Sequence, residues 1–251
     1  MNGAFFVRAK PVPGQDALVS AARPLCRALL GLWLGGLPCG QAWADTPPEA
    51  SAWPDTYSAR VAAQASLESL NAELLSHDSA SVTLAHWCEL HHLASDPRIV
   101  VVRIPPDSKP VTHELRALLQ AGPRKVVRYR HVQLKCGERV LSEADNWYVP
   151  ARLSSAMNHL LDTTDTPFGV IVRDTHYKRH TLSARMLWTP LPSGREMQGA
   201  PAAQRSDPLV IPHAVLEHRA VLKLPDGTPF SALVETYTSD VLAFPPPPQG
   251  R

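Results

Sequence analysis

The chain is 251 residues long and 44% hydrophobic, with 25 Lys and Arg against 23 Asp and Glu. That length supplies one sizeable core, so a single globular domain is expected. A formal charge of +2 leaves no basic stripe of the kind that holds a phosphate backbone, and no nucleic-acid partner is expected.

Near the start, the basic flank Arg23-Pro-Leu-Cys-Arg27 precedes an apolar run from Ala28 to Leu37 and then Ala42-Trp43-Ala44. These are the three parts of a secretory signal peptide, and the run is too short to anchor in a bilayer. Residues 1–44 are therefore read as a signal peptide, giving a periplasmic or secreted protein with no membrane span in the mature chain. A misplaced start codon would make it cytoplasmic instead. Cleavage would remove Arg8, Lys10, Arg23, Arg27 and Asp16, leaving 21 basic and 22 acidic residues and a charge of −1. Prolines gather in residues 45–56 and 244–251, read as a Pro-rich linker and a disordered tail around a folded domain at 57–243.

Val61, Leu67, Leu70, Leu74 and Leu75 recur at near-helical spacing between Tyr57 and Leu75. Asp78-Ser79 can cap a second helix carrying Val82, Leu84, Trp87, Leu90 and Leu93. Arg98 to Ile104 is a β-branched strand, and Val111 to Gln120 a short helix stopped by Gly122-Pro123. Val126–Lys135 and Arg139–Val149 form a hairpin about Cys136-Gly137, and Pro150 opens a helix through Leu161. Strands are expected at Phe168–Arg173 and His180–Trp188, then a Pro/Ser/Gly-rich loop over Pro190–Pro212. A closing hairpin pairs Val215–Leu224 with Phe230–Leu242 about Asp226-Gly227. Adjacent hairpins after grouped helices predict an α+β fold, an antiparallel β-sheet with helices packed on one face. Nothing in the sequence specifies an oligomer, and a monomer is expected.

Two charged residues sit in runs that otherwise read as buried strand, Arg130 in VVRYRHVQL and Glu235 in SALVETYT. Arg128 and Arg130 share one face of their strand, Tyr129 and His131 the other. The bland reading of Arg130 is an exposed cationic edge; the functional one is a guanidinium gripping a carboxylate through two parallel hydrogen bonds. Glu235 is either paired with a surface cation or a desolvated carboxyl that exchanges a proton near neutrality. Cys88 and Cys136 can pair in an oxidising compartment; the preferred reading is the plainer one, two small buried hydrophobes. His86, Cys88, His91 and His92 gather on one helix, but H-x-C-x-x-H-H is no standard zinc signature, and no metal is assigned. Asp174, His176, His180 and Ser183 lack the elbow a hydrolytic serine needs.

The order of these motifs, VRYRHVQL–CGERVLSEADNWYVP, then TPFG, then LKLPDGTPFSALVETY, resembles the chorismate–pyruvate lyase family across roughly Leu70 to Leu242. The family's fold also serves as the ligand-binding part of some transcription regulators. The resemblance implies a cofactor-free elimination of chorismate to 4-hydroxybenzoate and pyruvate, or, in an exported relative, a non-catalytic binder of a small aromatic carboxylate. It implies that Arg130 anchors the substrate carboxylate and that Glu235 handles the proton opposite. Backbone at Phe168 and Gly169, and Ala80 in a flap formed by Asp78-Ser79-Ala80, would complete the contacts.

Overall fold

The computed structural model describes residues 53–105, 108–192, 194 and 207–247. The expected signal peptide, most of the linker, most of the Pro/Ser/Gly-rich loop and the last four residues lie outside the described residues.

Helix α1 (Tyr57–Ser76) starts where the Thr56 hydroxyl accepts from the Ala59 N–H, and buries Ala59, Ala63, Leu67, Leu70 and Leu74, one helical face. Helix α2 (Ala80–Leu90) turns Thr83, Leu84, Trp87 and Cys88 inward. Val82 and Leu90, apolar in sequence, are exposed. Strand β1 (Ile99–Arg103) and the short helix α3 (His113–Leu118) lead into the hairpin β2 (Arg128–Cys136) and β3 (Arg139–Tyr148). Gly137 makes the turn at φ 56°, where a β-carbon would also meet that of Ala94 at 2.9 Å.

Two expected elements differ. Pro150 opens only a single 3-10 turn to Arg152, and α4 (Ser155–Thr163) starts afresh because the Ser154 hydroxyl caps the Met157 N–H. Phe168–Arg173, expected as a strand, is helical: α5 (Phe168–Ile171) runs into a 3-10 turn at Arg173–Thr175. The β-branched Val170, Ile171 and Val172 imitate a strand, but the Pro167 carbonyl accepts from both Val170 and Ile171 and winds the segment into a turn.

Strands β4 (Lys178–Met186), β5 (Ala214–Lys223) and β6 (Pro229–Thr238) complete one sheet of order β1-β2-β3-β6-β5-β4. Every neighbouring pair is antiparallel. One face packs against α1 and α2 through Val101, Val132, Leu134 and Tyr237. The same face meets α4 and α5 through Tyr148, Ala220, Leu222 and Leu233. The expected layering therefore holds for the four main helices. The opposite face is partly covered by α3 and the Leu119–Ala121 turn, packed on Trp147, Val221 and Ala232.

The core reaches past the expected domain ends. Trp53 is buried and its indole N–H donates to the Leu242 carbonyl at 2.8 Å. Phe244 stacks on His91, ring centres 3.9 Å apart, beside Trp87. Cys88 and Cys136, preferred above as free thiols, form a disulfide between α2 and β2, with Cα atoms 6.3 Å apart. Packing of α2 over the end of β2 brings them within bonding range, which 48 residues of sequence separation concealed.

Candidate functional site

Strand register builds the site before any side chain is considered. Arg130 lies opposite Asn146, which lies opposite Leu233; Val132, Ala144, Glu235 and His218 form the next row of the same face. Arg130 and Glu235 are therefore two strands apart and one step along, about 12 Å between Cα atoms at ordinary strand spacings. Both project into a cavity between this face, the start of α2 and the Pro167-Phe168-Gly169 turn.

The cavity holds about 60 Å³ open to the centre of a water molecule, room for roughly four to six waters or one substituted ring. Val101, Val132, Leu134, Ala144, Leu222 and Leu233 give it apolar walls. The five residues that the family resemblance points to, Arg130, Glu235, Phe168, Gly169 and Ala80, all line it.

Arg130 is 8% exposed, and among the described residues its Nε and Nη2 have no hydrogen-bond partner. Burial, reinforced by the nearby positive charge of Arg103, depresses its pKa. Among the described residues it is a buried cation whose Nε and Nη2 bond to no carboxylate, Asp162 acting on it only through space.

Glu235 is placed differently from the lone carboxyl considered above. Arg179, on β4, donates to its Oε2 at 2.6 Å and Tyr237 donates to the same oxygen at 3.1 Å. The Arg179 and Glu235 side chains are 4% and 8% exposed, so the partner is a buried cation and not a surface one. Burial opposes the charge on Arg179, but the Glu235 carboxylate outweighs it and raises the Arg179 pKa. Burial also raises the Tyr237 phenol well above its usual range, and the adjacent carboxylate adds to this. Behind the pair, His218 is fully buried and shares a hydrogen bond with Asn71 through Nε2; burial pushes its pKa down to about 4.

The flap is tied down. Asp78 accepts from the Arg179 backbone N–H at 2.8 Å and from Lys178 at 3.1 Å. Burial opposes its ionisation, yet these donors hold the carboxyl below its ordinary value. Gly169 keeps the approach to the flap close: a β-carbon there would stand 2.9 Å from both Ser79 Oγ and Tyr177 Oη, so those side chains would have to shift. The TPFG turn can therefore lie directly against the flap.

Sequence reasoning missed Arg179, Tyr177, Asn146 and His218. Strand β4 is mostly exposed on both faces, so its one inward arginine lacked the apolar neighbours that made Arg130 and Glu235 stand out. The histidine cluster of α2 separates: Cys88 is in the disulfide and His91 stacks between Trp87 and Phe244. Among the described residues no group of three or more His, Cys, Asp or Glu gathers as a metal site, and no helix is long and apolar enough to cross a membrane.

No family model matches the chain. Solved structures it resembles include the effector domain of PhnF from Mycobacterium smegmatis, at 11% identity and TM-score 0.40, covering 65% of this chain and 90% of that one. A GntR-family transcriptional regulator from Enterococcus faecalis aligns at 14% identity and TM-score 0.35, covering 55% and 93%. YydK from Bacillus subtilis, described as a possible transcriptional regulator, aligns at 16% and TM-score 0.35, covering 55% of this chain and only 58% of its own length. In sequence, the chain is 53% identical over 196 residues to the uncharacterized protein y4mC of Sinorhizobium fredii, covering 78% of this chain and 83% of that protein. With that identity and coverage, the chain belongs to the same family as y4mC.

Proposed function

We propose that the chain binds a small aromatic monocarboxylate in the Arg130–Glu235 cavity. The observation that carries this reading is Arg130, a buried guanidinium whose enclosed N–H groups meet no partner among the described residues. A charge so placed is costly until an anion joins it, and a carboxylate matches the guanidinium fork in both charge and geometry. Apolar walls accept a ring beyond the carboxylate, and Glu235 and Arg179, which also line the cavity, supply polar atoms for a ring substituent. Because Glu235 already compensates Arg179, only the charge of Arg130 is left for the ligand, which favours a monoanion.

The lyase chemistry implied by the family resemblance asks more of Glu235, a proton exchanged with substrate. Its Oε2 is occupied by Arg179 and Tyr237, so binding without turnover is the better-supported reading. Export fits the same picture, since a buried disulfide persists in an oxidising compartment. Calorimetric titration with 4-hydroxybenzoate, on wild type and Arg130→Met, tests the binding site. Chorismate incubated with the protein and followed by chromatography tests turnover. Saturable binding lost in the variant supports the proposal; equal binding in both would remove the carboxylate from Arg130, and 4-hydroxybenzoate formed from chorismate would restore the lyase. Mass spectrometry of the native N-terminus tests cleavage near Asp45.

A further inference from the structure

Arg130 also borders a second space, outside the cavity described above. Strand β1 pairs with β2 only as far as Arg103 opposite Val132. Past that point a cleft of about 370 Å³ opens, lined by Arg103, Arg128, Arg130, Tyr148 and Asp162 among others. Arg103 faces the same way as Val132, and Arg130 and Arg128 follow Val132 at alternate positions of β2. Three guanidinium side chains therefore converge from one face of the sheet.

Their counter-charges do not balance. Arg128 donates to both oxygens of Asp162, at 3.0 and 3.3 Å. Arg103 donates to the Leu161 carbonyl, a neutral acceptor. Arg130 has no partner for its enclosed nitrogens among the described residues. The lining thus carries three positive charges and one negative. Burial first, and then repulsion from Arg103, lowers the Arg130 pKa, as expected of a cluster in want of an anion.

We propose that this cleft is a second anion subsite, for a doubly charged oxyanion of the phosphate type. Two surplus charges call for a dianion, and planar guanidinium forks on adjacent strands suit an oxyanion with several acceptor oxygens. The Tyr148 hydroxyl, in contact with Arg128, adds a neutral donor. The inference shares Arg130 with the inner cavity, so a dianion in the cleft and a monocarboxylate in the cavity compete for that guanidinium, but it does not depend on what the cavity binds. A phosphate could reach it as the free ion or as a monoester whose organic part extends beyond the cleft.

The test is calorimetric titration with inorganic phosphate, phenyl phosphate and acetate, at low ionic strength and about pH 8, where phosphate is dianionic. Arg128 is 47% exposed, so Arg128→Met is compatible with folding. The expected result is phosphate binding weakened about tenfold or more in Arg128→Met, with acetate, a monocarboxylate that the inner cavity can also take, bound alike by wild type and variant. In that variant 4-hydroxybenzoate binding to the inner cavity should be unaltered. Tighter binding of phenyl phosphate than of phosphate identifies a monoester, and equal binding the free ion; both support the subsite. No phosphate binding by wild type, or the same affinity in Arg128→Met, would overturn it. Phosphate binding without 4-hydroxybenzoate binding would uphold this cleft and refute the inner site.

Discussion

Replacing Arg130 by Met should make the ligand-free protein more stable while removing the carboxylate binding proposed above. Two enclosed guanidinium nitrogens lack partners among the described residues, and each such group costs about 1–3 kcal/mol. Some of that is recovered by relaxation and water entry, so a net gain of about 2–4 kcal/mol is expected from the uncharged side chain. Met keeps most of the aliphatic stem that packs beside Val132 and leaves little void. For a domain of this size the gain corresponds to a rise in Tm on the order of 5–10 °C. Wild type should close most of the gap when 4-hydroxybenzoate is present, since a ligand at a hundred times its Kd adds about 2.7 kcal/mol; the variant should not respond. Differential scanning calorimetry of both proteins, with and without ligand, makes the comparison. A lower Tm for ligand-free Arg130→Met would refute the reasoning, because it would show that the guanidinium stabilises the fold through a structural role.

Reducing the disulfide, or Cys88→Ala with Cys136→Ala, should cost up to about 4 kcal/mol in urea unfolding, the chain-entropy value for a loop of this size, with the 48-residue separation setting it. Gly169→Ala should cost about 1–3 kcal/mol by overpacking and weaken ligand binding, since the new methyl group displaces Ser79 or Tyr177; unchanged binding would show that the turn and flap move independently. Glu235→Gln should destabilise by about 3–5 kcal/mol by leaving Arg179 buried without its anion, and the double change Arg179→Met with Glu235→Leu should recover most of that in the same unfolding assay. His218, in contact with Tyr237 and between the charges of Glu235 and Arg179, is neutral in the fold because burial lowers its pKa to about 4. The unfolded chain takes up that proton below about pH 6.5 and the folded chain does not, so stability should fall by about 3 kcal/mol from pH 6.5 to 4; His218→Gln should flatten that part of the profile, measured by urea unfolding at several pH values.

Much of the fold was legible in local pattern. Alternation set the hairpins about Gly137 and Gly227, and the 3.6-residue period set α1, because one-sided burial leaves a periodic trace. The trace fails where burial is two-sided or local bonds compete. Val170-Ile171-Val172 has strand composition, yet the Pro167 carbonyl captures two N–H groups and winds it into a turn. Arg130 and Glu235 stood out as charges among apolar neighbours. Arg179 did not, because β4 is mostly exposed on both faces, and its meaning comes only from the strand pairing that lays it near Glu235. The disulfide was invisible for the same reason: its two halves meet through the packing of a helix on a sheet.

These long-range ties explain how the protein can hold Arg130 unpaired. The flap is fastened at its start, where Asp78 accepts from the β4 backbone and Lys178. Farther along, α2 is bonded covalently to β2, the strand that carries Arg130. Gly169 admits the TPFG turn to direct contact with Ser79 and Tyr177 between those points. A loosely held flap would let water or a mobile side chain reach the guanidinium and satisfy it, and the drive to bind an anion would be spent within the protein. If the proposed ligand binds there, a flap fixed at both ends keeps that charge unsatisfied until it arrives, so stability given up in the empty protein is returned as affinity. On this argument the disulfide belongs to the proposed binding site, although neither cysteine lines the cavity.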